Sequence, residues 1–353
     1  MIYYGVLVVF TVLVYLFFTG MHYEKKKVDG ITLTFFFVMY LLLLCCRDVS
    51  VGNDTKVYLK TFEYVRLLDW KMGILVGEQE IGFKILRQLV ACLGGQRLYI
   101  CVVAALTVLP VLYLYKNEAE GAMFCISFFL ISLLFELFFS GMRQGIAIAL
   151  GVPAFYMVKR KKLIPYVLVV ALACTFHKSA ILLLLLYPIY YSRITKKWLW
   201  FIIPGIVLVY LNRSILLEQI IRLSGDEYTY KYAYLTGSSG QIGLMVLFIL
   251  LAIYSYIVLD EKQASEEEIG LRNILLLAAC IHLFTPLHPT ISRLNYYFIL
   301  FIPVAMTRIN NKANQPILQG VRVAEVVMPT FFVLYFFLAK ADSLHVFDYK
   351  LFF

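Results

Sequence analysis

The chain has 353 residues, 62% of them hydrophobic and 15% charged, against roughly 45–50% and about 25% in ordinary soluble domains. A soluble globule cannot bury that excess. The formal charge of +10 does not point to nucleic acid, because Lys and Arg gather in short turns between apolar runs of about 14–20 residues, where they set membrane topology.

The expected fold is an all-α polytopic membrane protein with about twelve transmembrane helices, residues 1–353 forming a single integral membrane domain. A transmembrane β-barrel is excluded by segments such as Ile181 followed by unbroken leucine from Leu182 to Leu186, since barrel strands alternate apolar and polar residues. Helices satisfy their own backbone groups in hydrocarbon. In chain order the spans are expected at 2–20, 30–46, 98–115, 121–140, 144–158, 163–176, 179–191, 198–211, 241–259, 273–287, 294–307 and 325–340. The first, with no basic leader and no small-residue cleavage site, reads as a retained span rather than a removed signal peptide. The seven cysteines lie in or beside apolar stretches without metal-ligand or disulfide-framework spacing, as small packing residues do.

Alternate turns are basic: Lys25 to Lys27, Lys116, Lys159 to Lys162, Arg193 with Lys196 and Lys197, Lys262 with Arg272, and Arg308 with Lys312 and Arg322. The short turns on the opposite side hold only Arg143, Lys178 and Arg293. Cytoplasmic loops carry the basic excess, so both termini are expected to be extracytoplasmic. Two long segments, 47–97 and 212–240, then face outward with the tail after Lys340. In the first, Ile81, Ile85, Leu86, Leu89, Val90 and Leu93 recur at helical spacing, with Glu80, Lys84, Arg87 and Gln88 on the other side. This predicts an amphipathic or re-entrant helix on the outer leaflet or packed on the bundle.

Several spans are short. Between Arg143 and Lys159, and again between Lys162 and Lys178, lie about 15 residues, which reach about 21–23 Å as helix against a hydrocarbon core of roughly 30 Å. Either the basic ends snorkel and the bilayer thins, or the outer helix ends stop short around a polar recess lined by Arg143, His177 and Arg293. Gly141, Gly145 and Ala149 form a small-residue stripe for close helix approach beneath Arg143. Glu136 lies inside an apolar span and demands either a function or a structural cationic partner such as an arginine. His282 reads as a satisfied core residue; His288, before Pro289, is ambiguous. There is no Walker loop, GxGxxG, HExxH or CxxC pair, so neither cofactor nor metal is expected. The outer face offers cations (Arg47, Arg143, Arg222, Arg293), carboxylates (Asp48, Asp54, Glu80, Asp226, Glu227) and His177, a set suited to an anionic leaving group and a general base.

Four stretches in order, Arg47-Asp48-Val49-Ser50-Val51-Gly52-Asn53-Asp54-Thr55 leading to Tyr58 and Phe62, Glu80-Ile81-Gly82-Phe83, Gly141-Met142-Arg143-Gln144-Gly145-Ile146-Ala147 and Phe176-His177-Lys178-Ser179-Ala180, resemble the EpsG family of Wzy-type exopolysaccharide and capsule polymerases. Arg293 with Tyr296, Tyr297 and Phe298 is similar to a later motif of that family, whereas Asn53 stands where a small or hydroxyl residue would be expected. The resemblance implies a GT-C-like membrane glycosyltransferase of the bacterial cytoplasmic membrane. It would join polyprenyl-diphosphate-linked oligosaccharide repeat units on the outer face, with a flippase and a chain-length regulator as candidate partners. Arg143 and Arg293, assisted by Arg47, would bind the diphosphate, Gln144 would hydrogen-bond sugar or phosphate, and Asp54, Glu80 or His177 would deprotonate the acceptor. A flippase of lipid-linked oligosaccharides, or a ligase or single-sugar transferase, is the alternative.

Overall fold

The computed structural model describes residues 1–212, 215, 218–219, 242–285, 289–311 and 327–352. Most of the expected second outer loop 212–240, including Arg222, Asp226 and Glu227, lies outside the described residues, as do His288, Lys312 and Arg322. Regular structure among the described residues is helical, and the one extended pairing is an isolated antiparallel bridge between Arg47 and Leu351. The chain divides into two compact units, Met1–Leu184 with Gly320–Phe353, and Leu185–Gln319.

The first unit begins with α1 (Ile2–Gly20) and α2 (Lys25–Cys46), followed by the outer-loop helices α3 (Thr55–Arg66), α4 (Trp70–Leu75) and α5 (Ile81–Leu93). Then come α6 (Gln96–Glu118), α7 (Ala122–Ile131), α8 (Leu133–Ser140), α9 (Met142–Ala149), α10 (Gly151–Lys159) and α11 (Leu163–Phe176), with the helix Met328–Leu338 returning near the C-terminus. Of the described helices, α1, α2 and α6 are long and apolar enough to cross a membrane, and α7 with α8 forms a fourth candidate bent by 63°. The other expected spans meet shorter or interrupted helices, so the count of twelve is not what length and composition of the continuous helices give.

The bend in the 121–140 segment has a local cause. Ser132 adopts extended backbone (φ −67°, ψ 152°), which frees carbonyls of the preceding turn. Lys340 supplies the missing donors: its ammonium donates to Leu130 O at 2.7 Å and Ser132 O at 3.1 Å and pairs with Glu136 at 3.0 Å. Ser343 Oγ donates to the other Glu136 oxygen at 2.8 Å. Glu136 therefore does have a cationic partner, a lysine rather than an arginine, from a segment about 200 residues away in sequence. Around it, Tyr40 donates its hydroxyl to Phe135 O at 2.6 Å, and rings of Tyr4, Phe129, Phe135 and Phe139 meet largely edge to face, the arrangement aromatic quadrupoles favour.

Beyond Lys340 the tail is stitched across the outer loop. Gly52 N donates to His345 O and Asn53 N to Leu344 O, each at 3.1 Å, Asp48 N to Lys350 O at 2.8 Å, and the Met1 ammonium to Phe347 O at 2.6 Å. Both ends of the chain thus lie on the side that carries residues 47–54. Arg97 stacks on Phe352 with 3.5 Å between guanidinium carbon and ring centre.

The second unit comprises α12 (Leu186–Tyr191), α13 (Lys196–Leu211) and the helices Ile242–Val258, Glu266–His282, Pro289–Ile299 and Ile302–Asn311. Ser265 and Glu268 form a reciprocal capping box that starts Glu266–His282, satisfying two end donors at once. Arg272 is fully buried, pairs with Glu261 at 2.9 Å and lies over the Tyr256 ring. His282 is buried against Phe248, its Nδ1 3.1 Å from the Asn295 amide, as expected of a core histidine.

Removing one partner of a buried ion pair leaves an uncompensated charge and costs about 3–5 kcal/mol, whereas replacing both with apolar residues is far milder. Lys340→Ala is accordingly expected to lower the thermal midpoint of detergent-purified protein sharply, and Glu136→Leu with Lys340→Met to recover most of it; equal loss in both variants would contradict the assignment.

Candidate functional site

The segment 47–97 is held at both of the ends that carry candidate residues. At the first, Gly52 takes φ +91°, a left-handed conformation costly to any residue with a Cβ; a Cβ there would also stand 2.6 Å from Phe139 O. The turn seats on the break between α8 and α9, where Thr55 Oγ1 donates to Phe139 O at 3.0 Å and Asp54 N to Ser140 Oγ at 3.1 Å. Asp54, at the N-cap of α3, keeps an exposed side chain. Tyr58, one helical turn on, donates a carbonyl-anchored turn bond from its N–H to Asp54 O and accepts from Arg143 Nε at 3.2 Å through its hydroxyl.

At the second end, Glu80 caps the approach to α5. Gly82 lies so close to the end of α11 that a Cβ would meet Thr175 Oγ1 at 2.2 Å and Thr175 O at 2.9 Å. This approach brings Glu80 within reach of both α9 and the start of the 3-10 helix Lys178–Leu185. One carboxylate oxygen accepts from Arg143 Nη1 at 2.7 Å. The other accepts from Lys178 N–H at 3.1 Å and faces His177 Nδ1 at 3.3 Å. The Glu80 side chain is 9% exposed, those of Arg143 and His177 29% and 28%. The acid is therefore the covered centre, and the two bases form its accessible rim. Burial opposes ionisation of Glu80, but hydrogen bonds from its own backbone and Lys178 N–H, with the Arg143 contact, outweigh it and hold the carboxyl below its ordinary range.

Beneath this group lies an apolar floor that includes Phe62, Phe83, Tyr99, Val103, Met142 and Ile146, contributed by α3, α5, α6 and α9. Gly145 lets α9 close on α6, with Thr107 Cγ2 3.0 Å from where a Cβ would sit. Gly141, the other half of the GxxxG, instead forms the break that starts α9.

Of the residues singled out from sequence, Glu80, Arg143 and His177 come together, whereas Asp54 stands exposed one helical turn before Tyr58, with no side-chain contact to them among those described. Gln144 is buried within α9. Arg47 is 1% exposed at the end of α2, where it donates to Leu44 O at 3.2 Å and lies 5.6 Å over the Phe139 ring. Arg293 stands exposed on the helix Pro289–Ile299 of the second unit, while the cluster is made entirely of first-unit residues. Arg87 and Gln88, on the side of α5 opposite its aliphatic stripe, point inward. The Arg87 guanidinium donates to Gly73 O and Val76 O at 3.0 Å and to Gln79 Oε1 at 3.2 Å, fixing the turn that delivers Glu80. Sequence reading assigned no role to Tyr58; its i,i+4 spacing from Asp54 was the available signal. The Lys178 N–H carried none. Among the described residues no group of His, Cys, Asp and Glu could hold a metal ion.

Apolar helices, among them segments long enough to cross a membrane, define the class as a membrane protein. Residues 30–351 match the EpsG family, nearly the whole chain, and the protein belongs to that family, the Wzy-type polymerase family. Its role is accordingly that of an exopolysaccharide-related polymerase in a membrane. Comparison with curated proteins and with solved structures gives no match.

Two outcomes follow from this geometry. Valine at Gly82 is expected to push α5 from α11 at a cost of about 1–3 kcal/mol, read as faster proteolysis of the outer loop in right-side-up vesicles; unchanged cleavage would refute the close-approach argument. Because the Glu80 carboxyl is depressed when folded, its stabilisation is present above the ordinary value of 4.5 and is lost as pH falls through the lower folded value. Glu80→Gln should cost about 1.5–3 kcal/mol at neutral pH and flatten the acid limb of the thermal-stability profile.

Proposed function

We propose that the protein is a GT-C-like glycosyltransferase that joins polyprenyl-diphosphate-linked oligosaccharide repeat units at the extracytoplasmic face of the bacterial cytoplasmic membrane. The observation that carries this reading is the single carboxylate, Glu80, bridging an arginine and a histidine. The acceptor sugar hydroxyl attacks C1 of the donor, the C1–O bond breaks, and the electron pair leaves with the diphosphate. Arg143 spends Nε on Tyr58 and Nη1 on Glu80, which fixes the guanidinium plane and leaves Nη2 to meet the charge that grows on the diphosphate.

His177 is the base in this scheme. Glu80 Oε1 lies 3.3 Å from Nδ1 and orients the ring, and the imidazole takes the proton of the acceptor hydroxyl as that oxygen attacks. Glu80 itself is an unsuitable acceptor, being depressed and already occupied; it is a positioning residue for both partners. Asp54, exposed at the head of α3, is the alternative base and a sugar-hydroxyl acceptor. The basic turns support the outward orientation of the loop that carries the site.

Purified protein mixed with synthetic lipid-diphosphate repeat units is expected to give a ladder of lengthened chains. One added unit would indicate a ligase, and movement between leaflets without elongation a flippase. At matched membrane abundance, His177→Ala should lose about 10²–10⁴-fold in elongation rate and Arg143→Ala should make no long chains. Long chains from well-expressed Arg143→Ala would eliminate the diphosphate role.

A further inference from the structure

α5 is amphipathic in an inverted sense. Its inward face includes Arg87 and Gln88, both buried, while Ile81, Ile85, Leu89 and Leu93 are 51%, 38%, 48% and 78% exposed. Spaced four residues apart, these side chains form one continuous stripe. Lys84, the remaining charged residue of α5, is half-buried. A stripe of large aliphatic side chains facing water, with an arginine turned inside, is the opposite of what an aqueous helix adopts; facing hydrocarbon, it is the stable arrangement.

The neighbouring helix sets the depth. α11 has 14 residues, about 21 Å of helix against a core of roughly 30 Å, and its residues Leu168 and Leu172 are exposed. α5 meets α11 at Gly82 and Thr175, in the last turn of α11, so the first turn of α5 lies level with the end of that short helix.

The stripe also has a chemical direction. It starts at Ile81, the residue after Glu80, and runs about 18 Å along the helix to Leu93. A diphosphate at Arg143 would therefore have its hydrocarbon chain beside the head of this stripe. We infer that the outward face of α5, Ile81 through Leu93, seats the isoprenoid chain of the lipid diphosphate whose head group Arg143 binds. This rests on the polymerase reading for the identity of the head group, but the seat itself is a binding property that can be read without catalysis.

The test is photolabelling of the reconstituted full-length protein in phosphatidylethanolamine and phosphatidylglycerol vesicles with a diazirine-bearing long-chain isoprenyl diphosphate. Labelled peptides are expected to cover residues 81–93. Unlabelled isoprenyl diphosphate should reduce the signal at least fivefold, and equimolar phosphatidylglycerol should not. Ile85→Ala with Leu89→Ala should lower labelling at least threefold, and Leu13→Ala on the exposed face of α1 should leave it as in wild type. Labelling spread over α1 and α13, or competed equally by phosphatidylglycerol, would mean that bulk lipid covers this face and would overturn the inference. Specific labelling of α5 in a protein that elongates no donor would instead sink the polymerase reading while leaving the seat in place.

Discussion

A carboxylate shared between an arginine and a histidine is the contact on which the first unit's arrangement around residues 47–97 depends. Glu80 meets Arg143 at 2.7 Å and His177 at 3.3 Å and accepts the Lys178 N–H, so α5, α9 and the segment after α11 converge on one side chain. An ionised carboxylate is held in a covered position only when its oxygens are answered by charge and hydrogen bonds. That requirement fixes the relative placement of the three segments. The same saturation that makes Glu80 a good organiser makes it a poor proton acceptor.

The frame behind it follows a similar rule. Where α7 breaks, the Lys340 ammonium answers the freed carbonyls and one oxygen of the buried Glu136, and Ser343 Oγ answers the other. Having turned inward there, the chain continues as a tail whose carbonyls pair with the N–H groups of Gly52 and Asn53. The turn that carries Asp54 is thereby held between the tail and the α8–α9 break. Buried polar groups are costly unless paired, so the irregular backbone of this helical protein occurs where a specific partner reaches it.

Much of the architecture was legible. Helical segments fall where apolar runs between polar turns place them, because the length of an apolar run and its flanking charges report directly on helix formation in a membrane. The short spans were also visible, and in the first unit α5 packs at the outer end of one of them. Less legible was the internal state of a run: nothing in Leu130-Ile131-Ser132-Leu133 announces a bend of 63°. Nor did spacing report what surrounds Arg47 and Arg87. A guanidinium near a helix end reads as exposed until one knows which carbonyls surround it, and both are buried on backbone oxygens.

The amino-acid sequence by itself determined that the chain is helical, apolar and asymmetric in charge, and it contained the motifs that place it in its family. These properties are local, fixed by composition and by spacing within a few turns. Tertiary structure alone decided that Lys340 answers Glu136, that Gly82 opens the path for Glu80 to reach His177, and that Arg87 turns inward while Ile85 and Leu89 face out. Each joins residues far apart in sequence through burial and pairing, and the energy of a buried charge depends on its neighbours in space.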